Sequence, residues 1–187
     1  MTASKPVARI GMLAMMICAP AATAAELSGD PKTAARHSTT TTSIGKLDLA
    51  ALRKATRRFQ DVNVAEKEGY GQFLGCVSGP NGGAMGIHFA NSNLVGDGVL
   101  DPLKPEVLIY EPQGDKLELV GMEYVVIAEA WHAKNELPPV MMGQTFHYSP
   151  SPNRYGMPPH YELHIWAWRK NPSGTFADWN SKVVCDK

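Results

Sequence analysis

The stretch "HYELHIWAW", residues 160–168, has the composition of a β-strand but carries ionisable side chains among aromatic ones. Side chains alternate across a strand, so one side of it holds the even-numbered residues: His160, Glu162, His164, Trp166 and Trp168. Buried polar groups need partners. The strand therefore predicts either a pocket on this side or a set of polar groups that satisfy one another.

Short apolar runs separated by Gly and Pro surround this strand. Four of them are further strand candidates: "QFLGCV" at 72–77, "GAMGIHFA" at 83–90, "EVLIYEP" at 106–112 and "KLELVGMEYVVIAEAW" at 116–131. Gly114 and Asp115 between the last two are typical of a hairpin turn. The sequence predicts an α+β fold with a mainly antiparallel sheet that could curl into a barrel.

One segment before the strands has helical spacing. Leu49, Leu52, Phe59 and Val62 recur at intervals that place them on one face, while Arg57 and its basic neighbours fall on the remaining surface. This pattern predicts one N-terminal amphipathic helix that packs on the sheet through its apolar stripe.

Three ionisable residues lie in the middle of apolar strand candidates far apart in the chain. They are His88 in "MGIHFA", Glu123 in "LVGMEYVVI" and His164 in "ELHIWAW". Burying one unpaired polar group costs about 1–3 kcal/mol, so these three side chains are expected to meet. Two imidazoles and one carboxylate form a ligand set for a divalent metal with open positions, such as zinc, iron or copper.

The expected pocket has an aromatic wall and two further carboxylates. We predict that Tyr110, Tyr124, Trp166 and Trp168 line it, and that Glu106 and Glu162 are alternative or additional ligands. The competing interpretation is a non-catalytic, envelope-associated binding or structural domain. In that case the histidines and Glu123 form a hydrogen-bonded core network without a metal.

The first residues have the features of an export signal. A basic lead, an apolar run and the small-residue pattern at Ala22 to Ala24 predict a signal peptide over residues 1–25. Residues 26–46 are rich in Ser, Thr and small polar side chains, which is typical of a flexible linker. Residues 47–187 are then one globular domain, in a periplasmic or secreted protein. The apolar run is too short for stable membrane insertion.

Cysteine content and charge limit the partners. Cys76 and Cys185 remain after signal cleavage, and in an oxidising compartment they are expected to form a disulfide. The chain has 18 Lys and Arg residues and 18 Asp and Glu residues, so its formal net charge is zero. It therefore has no excess of basic residues that would indicate nucleic-acid binding. The expected partner is a small molecule or a metal ion.

Three runs of the chain resemble a group of exported bacterial proteins to which no activity is attached. They are "GAMGIHFAN" at 83–91, "LDPLKPEVLIYEPQGDKLELVGMEYVV" at 100–126 and "YELHIWAWRKNPSGTFADWNSKVVC" at 161–185. The resemblance implies secretion and a single domain, and it implies nothing about chemistry.

Overall fold

The computed structural model describes residues 43–44, 48–79 and 82–185. The predicted signal peptide, residues 1–25, lies outside the described residues, as does the predicted linker apart from Ser43 and Ile44. The described residues belong to one compact unit. None of the helices they form combines the length and the apolar composition needed to cross a membrane.

The segment predicted as one helix is divided into three pieces. Helix α1 is Leu49–Thr56, a 3-10 helix is Arg57–Gln60, and helix α2 is Val62–Lys67. The break lies at Asp61, whose extended backbone and carboxylate cap a new helix by accepting a hydrogen bond from the Asn63 N–H at 3.0 Å. The single continuous helix was therefore a wrong prediction, because a local cap competes with helix continuation.

The apolar residues of these helices pack against the sheet. Leu52 belongs to a buried cluster with Met122 and Tyr124, and Phe59 belongs to another with Tyr110. Both Leu52 and Phe59 are almost fully buried. The helical segment covers one face of the sheet and leaves the opposite face available for other contacts.

The described strands form two sheets. The small one has the order β1-β7-β8, and the seven-stranded one has the order β2-β4-β5-β6-β10-β9, with β3 also paired to β4. The strands are β1 Ser43–Ile44, β2 Gly71–Gln72, β3 Val77–Gly79, β4 Gly83–Ala90, β5 Val107–Gln113, β6 Lys116–Ile127, β7 Val140–Met141, β8 Gln144–Thr145, β9 His147–Ser149 and β10 His160–Ile165. Two short helices complete the fold: α3 Ser92–Val95 and α4 Ala128–His132.

The antiparallel α+β architecture is confirmed, but the barrel is not formed. In the described part of the chain the sheet begins at β2 and ends at β9, and these outer strands are two and three residues long. Such short edge strands offer little backbone for closure, so the sheet stays open. The predicted hairpin is present, because β5 pairs with β6 across a turn at Gly114 and Asp115.

A disulfide joins Cys76, just before β3, to Cys185, with 5.5 Å between their Cα atoms. This bond confirms the predicted pairing. It ties the segment beside β4 to the last described residue.

Candidate metal centre

Three strands of the large sheet bring His88, Glu123 and His164 to one face. His164 on β10 pairs directly with Glu123 on β6, and Glu123 in turn lies opposite Val107 on β5. His88 on β4 lies opposite Ile109, two residues farther along β5. Since side chains two residues apart on a strand share a face, the two histidines and the carboxylate point the same way.

The three side chains are close enough to share one ion. One potential ligand atom from each lies within 4.8 Å of the other two. His164 Nδ1 is 3.5 Å from Glu123 Oε1, and His88 Nε2 is 3.8 Å from Glu123 Oε2. The centroids of the two imidazole rings are 6.0 Å apart, and the ring planes are nearly perpendicular. Each ring directs one nitrogen towards the carboxylate between them.

The cluster is buried and its polar atoms are poorly satisfied. His88, Glu123 and His164 expose 5%, 6% and 2% of their surface. Among the described residues, neither ring nitrogen of His164 has a hydrogen-bond partner, and neither does Nδ1 of His88. An unmade hydrogen bond at a buried polar atom costs about 1–3 kcal/mol, so a partner for these nitrogens would stabilise the fold.

Burial favours the neutral form of all three groups. It lowers the pKa of His88 to about 4, although the Gly86 backbone acts in the opposite direction. Burial, aided by His88, lowers the pKa of His164 to about 3. Burial also raises the pKa of Glu123 well above its ordinary value, and the charge of Glu162 adds to this. The imidazoles are therefore available as neutral nitrogen ligands at neutral pH.

A cavity of about 200 Å³ opens beside the cluster. Its floor is the same face of the sheet, with His88, Ala90, Val107, Glu123 and Val125 all exposed to the cavity. His164 is not part of the lining, and it lies beside Glu123 on the neighbouring strand β10. Two of the three candidate ligands thus face a space that a small molecule or water can enter.

Three segments build the walls of this cavity. Phe73 and Leu74 follow strand β2, Val95 comes from α3, and Tyr155 and Met157 come from the proline-rich segment before β10. Apart from Tyr155 and Ser92, which also comes from α3, these wall side chains are apolar. The cavity is therefore a mainly apolar pocket whose carboxyl and imidazole groups lie on the sheet.

A second polar cluster lies on β9 and β10 at the edge of the cavity. Glu162 is hydrogen-bonded to His160 Nε2 at 3.2 Å and to His147 Nδ1 at 3.1 Å, and His160 Nδ1 donates to the Pro158 carbonyl at 2.8 Å. Burial raises the pKa of Glu162, but the two imidazole hydrogen bonds outweigh it, so the pKa is lowered overall. Unlike the first cluster, this one is satisfied within the protein.

Glu162 lines the cavity, whereas three other residues that were predicted to line a pocket do not. Tyr110 and Tyr124 project to the helix-covered face, where their hydroxyls donate to the carbonyls of Phe59 and Pro102. Glu106 is buried and accepts a hydrogen bond from the Val125 N–H at 3.1 Å. None of the three lines the cavity, since alternation along β5 and β6 turns both tyrosines away from it.

The two tryptophans also lie away from the cavity. Strand β10 ends at Ile165, where the Ala167 N–H turns back to the Ile165 carbonyl, so strand alternation does not continue. Trp166 packs with Ile109 and Val120. Trp168 reaches the opposite side of the sheet, where its Nε1–H donates to Thr56 Oγ1 at 3.1 Å. The predicted aromatic wall is wrong for this reason.

Two residues near the centre were missed. Asp178 Oδ1 lies 3.8 Å from His164 Nδ1, and burial raises the pKa of Asp178. Tyr155 contacts the Met85 sulfur at 3.8 Å, and burial raises the pKa of Tyr155 to about 12. Both lie in segments without periodicity, and the density of prolines around Tyr155 was the signal of an ordered covering loop.

Comparison with known proteins adds no assignment to this geometry: no protein-family model, curated protein or solved structure matches the chain.

Proposed function

We propose that the protein binds one divalent transition-metal ion through His88, Glu123 and His164. The observation that carries this proposal is the buried imidazole of His164, which has no hydrogen-bond partner among the described residues yet lies 3.5 Å from a carboxylate oxygen. A cation between these groups would satisfy both the nitrogen and the carboxylate. Two imidazoles and one carboxylate are a common ligand set for zinc and for non-haem iron.

The spacing of the ligand atoms supports this proposal. Ligands at about 2.0–2.1 Å from a tetrahedral ion lie about 3.3–3.4 Å apart. His164 Nδ1 is 3.5 Å from Glu123 Oε1 and His88 Nε2 is 3.8 Å from Glu123 Oε2. One ligand atom from each of the three residues lies within 4.8 Å of the other two, so the side chains would have to close by up to about 1.5 Å around one ion. Coordination positions facing the cavity stay open to water or another ligand, because His88 and Glu123 line it.

Metal analysis of the purified mature chain tests the proposal. The protein is incubated separately with zinc, ferrous and cupric ions, dialysed, and analysed for bound metal by plasma mass spectrometry. We expect about one ion per chain for at least one of these metals. Glu123→Gln, which keeps the shape of the side chain, should reduce occupancy at least tenfold, since it removes the anionic ligand.

His147→Ala is the matched control, because His147 is exposed and lies outside the triad. It should retain the metal. Circular dichroism and the unfolding midpoint of each variant establish that it is folded.

The competing proposal is a metal-free core. The same contacts of 3.5 and 3.8 Å join imidazole nitrogens to carboxyl oxygens, and a neutral Glu123 carboxyl that donates a hydrogen bond to one imidazole would give the cluster a structural role without a metal. A wild-type chain that binds none of the three metals, together with a Glu123→Gln variant less stable than wild type, would establish that role.

We also propose that the protein is exported and matures at Ala25 or Glu26. The basic and apolar pattern of residues 1–25, the resemblance to exported bacterial proteins and the Cys76–Cys185 disulfide support an oxidising, periplasmic or extracellular location. Mass spectrometry of the chain from the envelope fraction should give the mass that starts at one of these residues. Recovery of the full-length chain from the cytoplasm would contradict export.

A further inference from the structure

The cavity beside the metal centre indicates the class of molecule that binds there. We propose that it takes a small organic anion with an apolar body, whose oxygen head group binds the metal held by His88, Glu123 and His164. This inference rests on the proposed metal site and adds the chemistry of its ligand.

Cavity volume sets the size of the ligand. A dry apolar cavity of about 150 Å³ is enough to hold benzene. The cavity here is about 200 Å³, so it accommodates one aromatic ring with a short substituent. Larger ligands would extend past its walls.

Wall chemistry sets the character of the ligand body. Phe73, Leu74, Val95 and Met157 offer carbon and sulfur surfaces, and Val107 on the floor lies beside Glu123. Ser92 and Tyr155 add two hydroxyl groups to these mainly apolar walls. A polar body would lose its water without gaining hydrogen bonds at the apolar side chains. An apolar ring or short hydrocarbon chain therefore fits the space.

Charge sets the head group. A divalent ion with two neutral imidazoles and one carboxylate keeps one net positive charge in a buried place, and an anionic oxygen neutralises it. The other carboxylate at the cavity, Glu162, is already hydrogen-bonded to His160 and His147. A metal held by His88, Glu123 and His164 would place a positive charge where a ligand in the cavity can reach it, because His88 and Glu123 line the cavity.

Phe73 is the lining residue that we infer to lie at the mouth of the cavity, because its side chain lines the cavity and also exposes 46% of its surface. The loop of Tyr155 and Met157, both half-buried, supplies another part of the wall.

Benzoate is the probe for the test, because it joins one ring to one carboxylate. Isothermal titration of the zinc-loaded mature chain should show benzoate binding at least tenfold more tightly than acetate, which has the head without the body. Benzyl alcohol, with the ring but no anionic head, should also bind at least tenfold more weakly. Metal content is measured on the same samples.

Tryptophan substitutions at Val95, in α3, and at Val99, four residues later, give a matched pair of variants. Val95→Trp fills the cavity from its wall, whereas Val99→Trp places the same ring at an exposed site outside it. We expect Val95→Trp to keep its metal and lose at least tenfold in benzoate affinity. Val99→Trp should match wild type in both measurements.

Each contrary outcome identifies what has failed. If the wild-type chain takes up no metal, the metal site is wrong and this inference falls with it. If metal is bound but benzoate binds no better than acetate, or binds equally to the metal-free Glu123→Gln chain, the ligand class is wrong while the metal site stands.

Discussion

Glu106 is the clearest case of a single residue whose environment changes its chemistry. It is 1% exposed, and burial raises its pKa to about 9, against weaker opposing hydrogen bonds that include the one from Val125. The folded protein therefore keeps this proton at a pH where the unfolded chain has lost it. Stability from this group is fully present below about pH 4.5 and is lost as the pH rises towards 9.

This predicts a difference in pH dependence between wild type and Glu106→Gln, which has nearly the same shape but does not ionise. Between pH 5 and pH 8, the wild type should lose about 1–4 kcal/mol more unfolding free energy than the variant, since each unit of pKa difference corresponds to about 1.4 kcal/mol. Urea unfolding at the two pH values measures it. Parallel changes in the two proteins would contradict the raised pKa.

Single residues also show which parts of the site the sequence can predict and which it cannot. His88, Glu123 and His164 could be found because each interrupts an apolar run, and a buried polar group needs a partner. Tyr110 and Tyr124 were assigned to the wrong face, because the sequence does not show which face of a strand the helices cover. Asp178 could not be found, since its position depends on how the chain returns after β10.

At the scale of elements, the helical segment before the sheet gives a prediction. Phe59 is 1% exposed and packs among Tyr70, Phe89 and Tyr110, so Phe59→Ala should lower the unfolding free energy by about 3–5 kcal/mol. Arg57 is exposed, and Arg57→Ala should lie within about 0.5 kcal/mol of wild type. Urea unfolding of both variants tests this, and equal losses would mean that the two faces of the segment are exchanged.

Element types were easier to predict than element ends. "GAMGIHFA" forms β4 over its full length, and the hairpin at Gly114 and Asp115 lies where turn chemistry placed it. "KLELVGMEYVVIAEAW" changes from strand to helix at Ala128, although its apolar pattern continues. At this strand end the Ala128 N–H donates a hydrogen bond to the carbonyl of Pro159, which is distant along the chain. The end of the strand therefore depends on a tertiary contact that the local sequence does not show.

At the scale of the whole molecule, the disulfide is expected to be a major source of stability. Cys76 and Cys185 are 109 residues apart, and closing a loop of this length is worth about 4–5 kcal/mol in the chain-entropy model. The double variant Cys76→Ser, Cys185→Ser should lose up to this amount in urea unfolding. Wild type in reductant is the control, and it should unfold at the same urea concentration as the variant. If the urea midpoint of the oxidised wild type equals that of the reduced wild type, the prediction is wrong.

The origin of the three candidate ligands in β4, β6 and β10 also bears on the order of folding. These strands are not neighbours along the chain, and β5 separates two of them in the sheet. No short peptide carries the complete ligand set, so a nascent or partly folded chain offers an ion at most one or two of these ligands. Metal capture would then follow assembly of the sheet, and its binding energy would act on global unfolding instead of on one local segment.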